Sequence, residues 1–91
     1  MEEKCVKFIV SGKVQGVGFR YHTSYQGKNL NLTGYAKNLD NGDVEVMARG
    51  REENLKKLEL WLLKGPQMSR VDSLQRDDVE LQEFKDFNIR Y

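Results

Sequence analysis

The chain has one cysteine, one histidine and one proline in 91 residues, and each scarcity closes off a class of protein. A lone Cys5 cannot close a disulfide within the chain, so the cross-linked scaffold of a small secreted domain is excluded. Its expected place is a small, part-buried strand position. With His22 as the single histidine, no Cys/His metal cluster can be assembled, and no Ser-His-Asp set is evident. Long hydrophobic runs are missing too: Leu60-Trp61-Leu62-Leu63 is far too short to span a bilayer. Met1-Glu2-Glu3-Lys4 leads into a short apolar run without the layout of a signal peptide, which sets the expectation of a cytoplasmic address. Nor does one sign of charge dominate. Fifteen basic and 14 acidic residues leave a net charge of +1, with the signs interleaved. Such a chain has no broad field for steering nucleic acid or an anionic membrane.

What is present fits one domain over residues 1–91, with 38% hydrophobic and 32% charged residues. Val6, Phe8 and Val10 alternate with Cys5, Lys7 and Ile9, the pattern of a strand with one apolar face. Three glycines in Gly12–Gly18 stop regular structure. Phe19, Thr23, Gly27 and Leu30 then share one face of a helix, in which Gly27 costs roughly 1 kcal/mol against alanine and leaves room for close approach to a sheet. Thr33–Leu39 and Asp43–Arg49 flank Asp40-Asn41-Gly42, a strong hairpin signal. A second helix over Glu52–Lys64 carries Leu55, Leu58, Trp61 and Leu62 on its core face and ends at Gly65-Pro66. Arg70–Arg76 could add a strand, and Phe87, Ile89 and Tyr91 alternate in a final one. The order is that of an α+β, ferredoxin-like βαββαβ fold, an antiparallel sheet with both helices on one face and a possible extra edge strand. That architecture alone assigns no function.

The stretch Gly12-Lys13-Val14-Gln15-Gly16-Val17-Gly18-Phe19-Arg20 lies between a strand and a helix. A helix N-terminus exposes unpaired N–H groups and the positive end of its dipole, and a glycine-containing loop before it can curl its amides around one anion. A cation at the head of a helix opposes the dipole. Arg20 makes sense there if an anion is shared between its guanidinium and the loop. Taken alone, these residues read more readily as a tight turn followed by a surface arginine.

Gly12–Arg20 resembles the first signature of the acylphosphatase family, and Gly34-Tyr35-Ala36-Lys37-Asn38-Leu39-Asp40-Asn41-Gly42-Asp43-Val44-Glu45-Val46-Met47-Ala48-Arg49-Gly50 resembles the second. Phe87-Asn88-Ile89-Arg90-Tyr91 is similar to the ending of many members. The resemblance implies hydrolysis of small acyl phosphates without metal or cofactor. Arg20 and the backbone amides of Gln15, Gly16, Val17, Gly18, Phe19 and Arg20 would hold the phosphate, or another anion such as inorganic phosphate, and Asn38 would position water. Gly27 stands where alanine is more usual. On the same reading the protein acts as a monomer on a small molecule, with no nucleic-acid or membrane partner.

Neighbouring groups are expected to be secondary. His22 should point its ring to solvent, Asn41 should serve the turn, and Lys13 would add long-range charge. The terminal carboxylate of Tyr91 would pair with Arg20 if the last strand finishes beside the loop. The leading alternative is a binding module that docks a phosphorylated or carbamoylated small molecule without turnover, or serves a larger enzyme in trans, although anion binding alone would not require Asn38. An RNA-binding sheet should present stacked aromatics. The third strand instead offers Glu45, Met47 and Arg49 on one face and Val44, Val46 and Ala48 on the other.

Overall fold

The computed structural model describes residues 2–91. Strand β1 (Glu3–Lys13) leads through the glycine loop into helix α1 (Phe19–Asn29). The hairpin β2 (Thr33–Asn38) and β3 (Val44–Arg51) follows, then helix α2 (Glu52–Lys64), β4 (Arg70–Val79) and the short β5 (Phe87–Arg90). The sheet runs in the order β4-β1-β3-β2-β5. Val6, Phe8, Val10, Ala36, Val44, Val46 and Ala48 on its inner face meet Phe19 of α1 and Leu55, Leu58 and Leu62 of α2. Trp61 packs at the rim of this core rather than within it, with its ring 6.1 Å from that of Phe19.

Two expectations change. The strand over Arg70–Val79, expected as the optional one, pairs with β1 and is the fourth strand of the βαββαβ motif. The last strand, Phe87–Arg90, is the addition. It pairs with β2 in parallel, so the sheet is mixed rather than antiparallel. The reason β4 reads weakly is visible in its register. Ser11 faces Ser73 while Gly12 faces Val71, so Asp72 is an extra, bulged residue. Val71 and Leu74, an odd number of positions apart, therefore both pack on the core, and strict alternation is lost. The remaining inward positions of this edge strand are charged. Arg76 reaches Glu52 and Glu59 of α2, at 2.7 and 3.0 Å, a pattern that blunts an exposed edge.

Residues 80–86 connect β4 to β5, from one edge of the sheet to the other. Gln82 N–H donates to Cys5 Sγ at 3.3 Å, and the Phe84 ring meets Tyr35 at 6.0 Å, so the segment crosses the face without helices. Cys5 is consequently fully buried, not part-buried as expected, at 1% exposure. Beneath the same segment, burial and the bond from Tyr35 Oη to Glu45 push the Tyr35 phenol up to about 12.

Candidate active site

The β1–α1 loop and the end of β2 meet on the helix-covered side of the sheet. Gly16 and Gly18 both adopt left-handed backbone, with φ of 75° each, which a side chain would resist. Gly18 occupies the N-cap of α1 and supplies no side-chain cap, and no acidic residue lies in the first turn. Among the described residues, no backbone N–H from Gly16 to Arg20 donates to a backbone carbonyl outside the regular elements. The curled loop thus leaves its amides open at the positive end of α1.

Arg20 crosses from α1 to the last strand. Its guanidinium donates to the carbonyl of Arg90 at 3.0 Å and lies 4.8 Å from the centroid of the Tyr91 ring. The expected pairing with the Tyr91 terminal carboxylate is not among the ion pairs of the described residues, and Arg20 meets a backbone carbonyl and an aromatic ring instead. Asn38 is the last residue of β2 and shares the inward face of Ala36, two positions before it. Its Oδ1 is buried and, among the described residues, has no hydrogen-bond partner. An unpaired buried acceptor costs about 1–3 kcal/mol, and this oxygen is free to accept from a donor that enters; Thr23 Oγ1 and Arg51 Nε are likewise unpartnered among the described residues.

A cavity of about 310 Å³ joins these parts, lined by residues that include Gly16, Gly18, Phe19, Arg20 and Asn38. Arg20 and Asn38, 18 positions apart in the sequence, thus face one space. Gln15 and Val17 do not line it. Val17 packs against the core, and Gln15 turns its side chain to the β2–β3 hairpin. Sequence reasoning missed Val14, Tyr21, Ile89 and the Tyr91 ring as lining groups. The alternation of Ile89 and Tyr91 was legible, but the pairing of β5 beside β2 was not. His22 is exposed and lines a separate cavity of about 670 Å³ with Trp61 and Lys64; its ring lies beside Gly18 but does not line the smaller cavity. Lys13 is exposed and lines neither cavity. Asn41 serves the turn, its Oδ1 accepting from Asp43 N–H at 3.0 Å.

Fold and cavity define a ferredoxin-like protein with a glycine loop left open at the head of a helix and a carboxamide lining the same cavity. The acylphosphatase family model matches residues 6–89. An acylphosphatase of Vibrio cholerae is 59% identical over 90 residues, covering 98% of this chain and 99% of that one. The solved acylphosphatase of Coxiella burnetii superposes with a TM-score of 0.93 at 39% identity, over 97% of this chain and 93% of that chain. Full-length HypF, solved in a phosphate- and nucleotide-bound form, matches 99% of this chain with 12% of its own length, at a TM-score of 0.92 and 27% identity. The chain belongs to the acylphosphatase family.

Proposed function

We propose that this protein hydrolyses the carboxyl–phosphate bond of small acyl phosphates, giving a carboxylate and inorganic phosphate. The observation that carries the reading is the convergence of Arg20, the open loop amides and the unpartnered Asn38 Oδ1 on one cavity. Arg20 and the amides hold the phosphoryl oxygens and neutralise their charge as the transition state forms. Asn38 orients a water by its carbonyl acceptor and amide donors. The water oxygen bonds to phosphorus, the bond to the acyl oxygen breaks, and its electron pair leaves on the carboxylate.

The leaving group explains why so few groups suffice. An alkoxide leaves a phosphate monoester as the base of an acid nearly as weak as water, pKa about 15.7, and needs a proton or a metal to depart. A carboxylate, with a conjugate acid of pKa roughly 4, departs already stable. Asn38 is too weak a base to take the water's proton, which passes to a phosphate oxygen of the substrate.

The reading extends to a cytoplasmic monomer in which residues 1–91 make one domain. Both proposed active groups come from one chain, so no second copy is needed to complete the site. No helix among the described residues is long and apolar enough to cross a membrane.

Purified protein should turn over benzoyl phosphate in EDTA, and loss of activity with the chelator would overturn the metal-free reading. Arg20→Ala should lower turnover and inhibition by inorganic phosphate together, by about 10²–10³-fold in kcat for one anion-hole donor. Asn38→Ala should lose turnover while phosphate inhibition survives. Equal loss of both would make Asn38 a binding residue and favour the phosphate-docking alternative.

A further inference from the structure

The side chain of Gln15 leaves the loop and ends on the hairpin that carries Asn38. Its Nε2 donates to the carbonyls of Leu39 and Asp43, each at 2.8 Å. Those two residues close the hairpin: Leu39 N–H donates to Asp43 O at 2.9 Å, and Gly42 N–H to Leu39 O at 3.2 Å. Each carbonyl therefore accepts one bond from within the hairpin and one from Gln15, which uses both lone pairs of each oxygen. Leu39 directly follows Asn38, so this is where the loop is joined to the strand end bearing the carboxamide. Asn38 is paired with Val44 in the β2–β3 ladder, whereas its side-chain Oδ1 has no partner among the described residues.

We propose that Gln15 is the positioning residue for Asn38: by clamping the closing pair of the hairpin to the loop, its amide sets the distance between the water-orienting carboxamide and the phosphoryl group. The proposal rests on the hydrolytic reading above and adds a side-chain role at a position otherwise offering only a backbone amide. The chemistry of the clamp demands a primary amide, whose two N–H donors serve two acceptors. A glutamate there turns only lone pairs toward two carbonyls until it is protonated, and then donates one bond. In-line attack tolerates little displacement, because a shift of about 1 Å costs on the order of 10²-fold in rate.

The test measures benzoyl phosphate turnover and inhibition by inorganic phosphate in wild type, Gln15→Ala, Gln15→Glu and the Gln15→Ala/Asn38→Ala pair. Gln15→Ala should lose on the order of 10²-fold in kcat with phosphate inhibition retained, and add little to the loss in Asn38→Ala. Gln15→Glu should be impaired at neutral pH and recover, relative to wild type, as its carboxyl is protonated. Parallel loss of kcat and phosphate inhibition in Gln15→Ala would make Gln15 a tether of the loop alone and overturn the proposal. A full, additive loss in the paired variant would do the same. If Gln15→Ala does not fold, Gln15→Glu decides, and a ratio to wild type that is flat with pH refutes the clamp. Absence of turnover in wild type would sink the hydrolytic reading, whereas wild-type kcat in Gln15→Ala would sink only the clamp.

Discussion

Gly27→Ala sets two effects of known sign against each other inside α1. Replacing glycine in a helix interior stabilises by about 1 kcal/mol, because alanine has less backbone freedom to lose. A methyl group at this position, however, would collide with three atoms of the Phe87 ring. That ring cannot easily give way. Phe87 is fully buried, its carbonyl accepts from Ser24 Oγ at 2.8 Å, and it is paired with Gly34 of β2. Overpacking of this kind costs about 1–3 kcal/mol, so it should outweigh the helix gain and leave a net loss of about 1 kcal/mol. In a domain of this size that lowers Tm by about 4–8 °C. Thermal and urea unfolding would measure it, and a Gly27→Ala protein as stable as wild type would refute the packing argument. Phe87→Leu supplies the control, because in that background the clash is relieved and alanine at position 27 should become stabilising. The displacement should also be felt at the site, since Phe87 lies three residues before the Arg90 carbonyl that receives Arg20. Weaker inhibition by inorganic phosphate should therefore accompany the lost stability.

Two further outcomes follow from the charged edge and the helix surface. The Arg76 hydrogen bond holds the Glu52 carboxyl down at about 2, below its ordinary 4.5, so the pair contributes stability at pH above about 4.5 that is lost as pH falls toward 2. The stability gap between wild type and Glu52→Gln should accordingly shrink across that window in urea titrations at stepped pH, and a gap independent of pH would rule out the ion pair as its source. His22→Ala should turn over benzoyl phosphate at close to the wild-type rate, because the ring lines the neighbouring cavity; a drop of tenfold or more would give His22 a part in the reaction.

The two apolar periodicities were legible in the sequence because burial of one face imposes them locally. Val6, Phe8 and Val10 mark β1, and Leu55, Leu58 and Leu62 mark α2, without knowledge of what they pack against. The turn at Asp40-Asn41-Gly42 was legible because turn chemistry is also local, although only Gly42, with φ 98°, uses left-handed backbone and Asn41 bonds to Asp43 instead. The functions of β4 and β5 were not legible. A bulge at Asp72 breaks alternation in one, and alternation in the other does not say which strand it pairs with or in which direction.

Family membership was legible from the two signatures, and with it the expectation that Arg20 and Asn38 act together. By itself the sequence determined that a glycine loop breaks regular structure ahead of α1, because glycines and the absence of a capping side chain are local properties. Only the tertiary structure decided what that loop faces. β2, β5 and α1 had to assemble before Asn38, Ile89 and the Tyr91 ring could line the same cavity as Arg20. The same assembly turned Gln15 from one more residue of the loop into a bond between the loop and the hairpin. Backbone preference acts over a few residues and is written in the chain. The distance between groups 18 and more positions apart is set by which strands pair and in what register, and that is a property of the folded sheet.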